Sequence, residues 1–106
     1  VQVTIDVRAG AVAGSGDYLL TLPNGYQFDT NIYQPTTSAA QTDIYRSVIG
    51  VSGWLANPGV SSQPIVGIVP YDATRYRVLT ASGFWTSAYY ALQAVIPSFQ
   101  FNFRKL

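Results

Sequence analysis

The side chains best suited to holding a ligand gather in one stretch, Gln63 to Leu79 (QPIVGIVPYDATRYRVL), and around two tryptophans. Tyr71 and Asp72 stand at a corner of that stretch, and Arg75 and Arg77 follow at alternate positions. Trp54 sits among Gly, Pro and Ser, and Trp85 comes just after a glycine turn. A flat aromatic face covers the apolar C–H side of a sugar ring, a carboxylate pairs with neighbouring hydroxyls, and a guanidinium forks onto hydroxyls or phosphate. Trp54, Tyr71, Asp72, Arg75, Arg77 and Trp85 are therefore the candidate residues for holding a polyhydroxylated ligand such as a saccharide. Each also has a plain structural reading. The tryptophans would plug the ends of a β-domain, Asp72 would close a turn, and the arginines would pair with aspartates of a neighbouring subunit.

The same inventory speaks against catalysis. With no His and no Cys, a nucleophilic triad has neither its usual base nor a thiolate. A glycosidase would have to bring together two of only five Asp from distant segments. Asp29-Thr30-Asn31 matches the start of a calcium loop and none of the rest. The expectation is a non-catalytic binder with no cofactor and no metal.

Composition sets the frame for these residues. The chain has 106 residues, enough for one domain, and its 10% charged fraction is well under half the usual quarter. Glutamate is absent, while eight Tyr, five Phe and two Trp are present. So many aromatics with so few charges imply that part of the surface is covered, most simply by copies of the chain itself. A net charge of +1, with scattered basic residues, argues against nucleic acid. No apolar run approaches the eighteen residues of a membrane span, and no signal-peptide pattern opens the chain. A start at Val1 without Met reads as a fragment of a longer polypeptide.

The elements that must position the candidates read as strands. Val1 to Arg8 alternates apolar and polar, and Ala9 to Gly16 is a Gly-rich loop. Asp17 to Leu22 and Tyr26 to Ile32 flank Asn24-Gly25, which predicts a hairpin. Tyr33 to Gln41 reads as a surface loop, Thr42 to Val51 as a strand, and Ser52 to Ser62 as a loop carrying Trp54. As a strand, Thr42–Val51 would put Asp43 and Arg46 on opposite sides. Pro64 to Val69 is a short apolar run suited to a strand buried on both faces. Past Pro70 and Asp72, Thr74, Tyr76 and Val78 oppose Arg75 and Arg77, the pattern of a half-buried strand. Ala81-Ser82-Gly83 marks a turn, and Tyr89 to Val95 fits either a strand or a helical turn. Ser98 to Arg104 closes the chain with Phe99, Phe101 and Phe103 on one face, destined for the core or a trimer axis. Seven or eight short strands between Gly/Pro/Asn turns predict an all-β antiparallel sandwich or barrel, jelly-roll-like, in one unit spanning 1–106.

Two motifs add a resemblance. Gly16-Asp17-Tyr18-Leu19-Leu20-Thr21-Leu22-Pro23-Asn24-Gly25, followed by Phe28-Asp29-Thr30, is one; Val69-Pro70-Tyr71-Asp72-Ala73-Thr74-Arg75-Tyr76-Arg77-Val78 is the other. With the alternating aromatic final strand, they resemble the C-terminal head domains of phage receptor-binding proteins, such as those of siphophages of streptococci and lactococci. That resemblance implies a small homotrimeric β-head at a tail tip or baseplate in the virion. Such a head is joined to the rest of the tail through its N-terminal side, and it binds host cell-wall polysaccharide, which can carry phosphate, at the outer surface of a Gram-positive bacterium. It carries over no binding residue, and the His-containing sugar sites of some lactococcal heads have no counterpart here. Two other readings stand beside it: a structural trimeric fibre-tip or capsid-decoration module, and a carbohydrate-binding module appended to a hydrolase.

Overall fold

In the computed structural model, residues 2–8, 18–38, 40–56, 63–81, 83–85 and 96–106 are described. They form β1 (Gln2–Arg8), β2 (Leu20–Thr21), α1 (Gln41–Tyr45), β3 (Ile49–Ala56), β4 (Gln63–Pro70), β5 (Arg75–Thr80), β6 (Gly83–Phe84) and β7 (Ile96–Arg104). The strands make one curled antiparallel sheet in the order β1-β7-β3-β4-β5-β2, with β6 added to β5. The all-β expectation holds at this level. The predicted loop at 9–16 and the ambiguous stretch 89–95 lie outside the described residues.

Sequence patterning explains how the sheet is covered. In β1 and β7, Ile5, Phe99, Phe101 and Phe103 are buried while Thr4, Asp6, Ser98, Gln100 and Asn102 are exposed. Strict alternation of this kind gives a sheet with one dry and one wet face. In β4 and β5 most of both faces is dry, with Pro64, Val66 and Arg75 exposed. Ile65, Ile68, Tyr76 and Val78 join the main core, and Val69 and Leu79 join a second cluster with Ile44 of α1. That is why β4 reads as a nearly continuous apolar run, whereas β5, expected half-buried with Arg75 and Arg77 on a wet face, has Arg77 buried there instead.

The main core is an aromatic cluster inside the curl. Phe28 is fully buried and meets Tyr33, Tyr76 and Phe103 edge-on, with centroids 5.2 to 6.3 Å apart. Tyr76 meets Phe101 at 5.2 Å, and its burial pushes the phenol up to about 12. The Phe99/Phe101/Phe103 row is 2%, 2% and 0% exposed within a single chain, so it needs no neighbouring subunit to stay dry.

Several local expectations are corrected. Asn24 and Gly25 do adopt positive φ (57° and 70°), the primed turn their types favour. The hairpin is absent, however. β2 pairs with β5, and the chain after the turn crosses the end of the sheet, where Phe28 bridges Lys105. The Phe28 and Leu22 amides donate to the carbonyls of Ala73 and Thr74, so contacts with the β4–β5 corner and the aromatic core replace hairpin pairing. Thr42–Val51 is not one strand. Residues 41–45 form a helical turn because Ile44 is drawn into the second cluster, and β3 begins only at Ile49. Ser52–Ala56, expected as loop, belongs to β3. Asp43 and Arg46 do not face opposite sides, since both border one 210 Å³ depression beside Ser47.

Candidate functional site

The β4–β5 corner is built around Asp72. One carboxylate oxygen accepts hydrogen bonds from the Thr74 and Arg75 amides at 2.9 and 2.8 Å, closing the turn. The other oxygen accepts from Arg75 Nε at 2.7 Å and Nη2 at 2.6 Å, a forked ion pair within the chain. The Arg75 side chain bonded to Asp72 holds its carboxyl down at about 2. Both groups of the pair are about 40% exposed, yet each is already engaged by the other. Tyr71 lies half-buried between two cations, with the Arg75 guanidinium 5.2 Å and the Arg77 guanidinium 5.4 Å from its ring centre.

Arg77 does not share the solvent side with Arg75 as the alternation implied. It is 3% exposed, because the segment at 34–38 and β6 cover that face of β5. Its Nη2 donates to the carbonyls of Thr36 (2.8 Å) and Ser38 (3.0 Å), and its guanidinium stacks 4.0 Å from the Phe84 ring centre. A buried cation is tolerable only with such partners. Arg77 ties the covering segment to the sheet. Trp85 is likewise 2% exposed, packed 4.7 Å from the Tyr18 ring, and its indole N–H meets no acceptor among the described residues. It is core, not a ring presented by a loop.

Trp54 is placed quite differently. It stands on β3, not in a loop, and is 55% exposed. Its register partners are Ser98 of β7 and Pro64 of β4. Pro64 and Pro70 mark opposite ends of β4, so Trp54 is about 20 Å from the Asp72 corner along the strand. The six candidates therefore do not converge. Tyr71, Asp72, Arg75 and Arg77 cluster at one end, Trp85 is interior, and Trp54 stands alone among them on the wet face.

That wet face supplies the neighbours that the sequence left unmarked. Ser52 is paired with Gln100, which is paired in turn with Asp6 of β1; Asn102 is paired with Thr4, whose hydroxyl bonds the Asn102 amide oxygen. The β3–β7 ladder ends at Val51 and Phe101, while β3 remains paired with β4 at Ile49 and Gly50. There the strands part, and a groove of about 520 Å³ opens between residues 49–52 and 100–102. The polar half of β7 was visible in its alternation. Its partner strand was not, because Gly53 and the nearby Pro and Ser residues read as loop.

A second groove of about 330 Å³ lies beside α1 and β6, lined by Ile44, Tyr45, Val66, Leu79 and Phe84. Compared with protein-family models, curated proteins and solved structures, the chain matches none.

Proposed function

We propose that this chain is the head of a phage receptor-binding protein, holding cell-wall saccharide of a Gram-positive bacterium without chemical change. The observation that carries this reading is Trp54, a large exposed ring on a sheet face that carries the hydroxyls and amides of Thr4, Ser52, Ser98, Gln100 and Asn102 beside Asp6 and Arg104. An indole offers the stacking surface a pyranose needs, and Ser, Asn and Gln offer the matching donors and acceptors. The two sequence motifs support the same reading. Jelly-roll-like closure and trimerisation belong to it too, the second on the low charge content of the chain. The phenylalanine row adds nothing to the case for a trimer. Modest affinity at each head would be multiplied by several heads engaging one wall.

The test is to label Gram-positive cells with the fluorescent domain and compete with purified wall polysaccharide, with mass from light scattering alongside. Labelling that polysaccharide abolishes, and that Trp54→Ala weakens at least about tenfold with the fold intact, supports the reading. A trimer that labels nothing would favour a structural fibre-tip or decoration module. A monomer that binds sugar would favour a module appended to a hydrolase.

A further inference from the structure

The groove where β3 leaves β7 gives the binding reading a more definite shape. At its floor is Gly50, exposed, with nothing within 4 Å of where a Cβ would stand. A glycine inside a strand costs stability unless something else approaches there. Here no atom of the described residues fills the space. On the two sides stand Ser52, Gln100 and Asn102, and among the described residues no ionisable side chain lines the groove. Beyond Val51 and Phe101 the two strands have no ladder partners for each other, so backbone donors and acceptors border the gap as well. Four residues further along β3, about 13 Å away, is Trp54.

We infer that this groove and Trp54 form one extended site for an uncharged glycan segment, one ring stacked on the indole and the next seated over Gly50. The inference rests on the saccharide-binding reading above and departs from its phosphate-bearing variant. Anionic glycan calls for cations free to fork onto it. In the candidate set, Arg75 is committed to Asp72, and Arg77 is buried beneath residues 34–38 and bonded to the Thr36 and Ser38 carbonyls. Arg104, exposed two residues beyond Asn102 on β7, is not part of the groove's lining. Amides and hydroxyls instead read the hydroxyl pattern of a neutral sugar, as donor and acceptor at once.

The experiment presents the intact chain to an array of purified bacterial wall polysaccharides, some neutral and some phosphate-bearing, and measures affinity in about 50 and about 500 mM NaCl. Retention on neutral polysaccharide, changing less than about twofold with salt, is the expected result. Gly50→Phe should fill the groove without touching the core and weaken binding at least about tenfold, with the circular dichroism spectrum unchanged. Gln100→Ala, which removes an exposed amide only, should weaken it about threefold or more and serves if Gly50→Phe fails to fold. A folded Gly50→Phe or Gln100→Ala variant that binds like the parent overturns the placement and leaves host recognition standing. Retention restricted to phosphate-bearing polysaccharide and lost in high salt overturns the uncharged assignment. Retention of no polysaccharide overturns the host-recognition reading and this inference with it.

Discussion

At the scale of single residues, the corner and the buried arginine behave as structural parts. Asp72 has a folded-state value near 2 against 3.8 for the free group, so its turn and ion pair stabilise the fold fully above 3.8. That contribution is lost as pH falls from 3.8 toward about 2, and Asp72→Asn should flatten this part of an acid-unfolding curve followed by circular dichroism. Tyr76 gives the opposite limb. Its phenol is raised from 10 to about 12, so stability declines as pH rises through that window and Tyr76→Phe removes the decline. Arg77→Ala should cost about 2–3 kcal/mol in urea unfolding, since it removes two charge-assisted bonds to carbonyls. Arg77→Lys should recover only part of that, lacking the planar fork and its stack on Phe84.

At the scale of elements, β3 contains its own controlled comparison. A Cβ on Gly53, whose φ is 154°, would stand 2.3 Å from the Ser98 carbonyl oxygen and 2.4 Å from the Phe99 Cα. Gly53→Ala should therefore destabilise by about 3 kcal/mol, the upper end of overpacking costs, while Gly50→Ala should stay within about 0.5 kcal/mol. Thermal melts of the two variants check both values. The same strand shows where sequence reading succeeds and fails. β1, β4, β5 and β7 were legible because each face either alternates or is continuously apolar. β3 was split because Gly53 resembles a loop residue when the β7 backbone it lies against cannot be seen. The hairpin at Asn24-Gly25 failed in another way: the turn is local, but the partner of the returning segment is chosen by Phe28 seeking the aromatic core. For the candidate site, residue type singled out Trp54, which the structure leaves exposed on β3 rather than in a loop. Alternation could not tell that Arg77 faces a covered side, because the cover comes from residues forty positions away in the chain.

For the molecule as a whole, the dry interior is closed by one chain. Phe101→Ala should cost about 3–5 kcal/mol, and it should do so equally in dilute and concentrated samples. Diluted to where light scattering reports a monomer, the chain should keep its native circular dichroism spectrum. Unfolding on dilution would show that the interior depends on neighbours after all. The groove and the aromatic core are separate layers of the same strands, which leaves association between copies free to use surfaces that neither layer needs.

The alternation of β7 has an evolutionary consequence. Its phenylalanines and its amides occupy opposite sides of one backbone, so exchange at positions 98, 100 and 102 leaves the inward row untouched. A lineage under pressure to follow a changing target can rewrite those positions one by one while the scaffold stays thermodynamically constant. Descendants should then diverge fastest where this strand looks outward, and slowest one residue away.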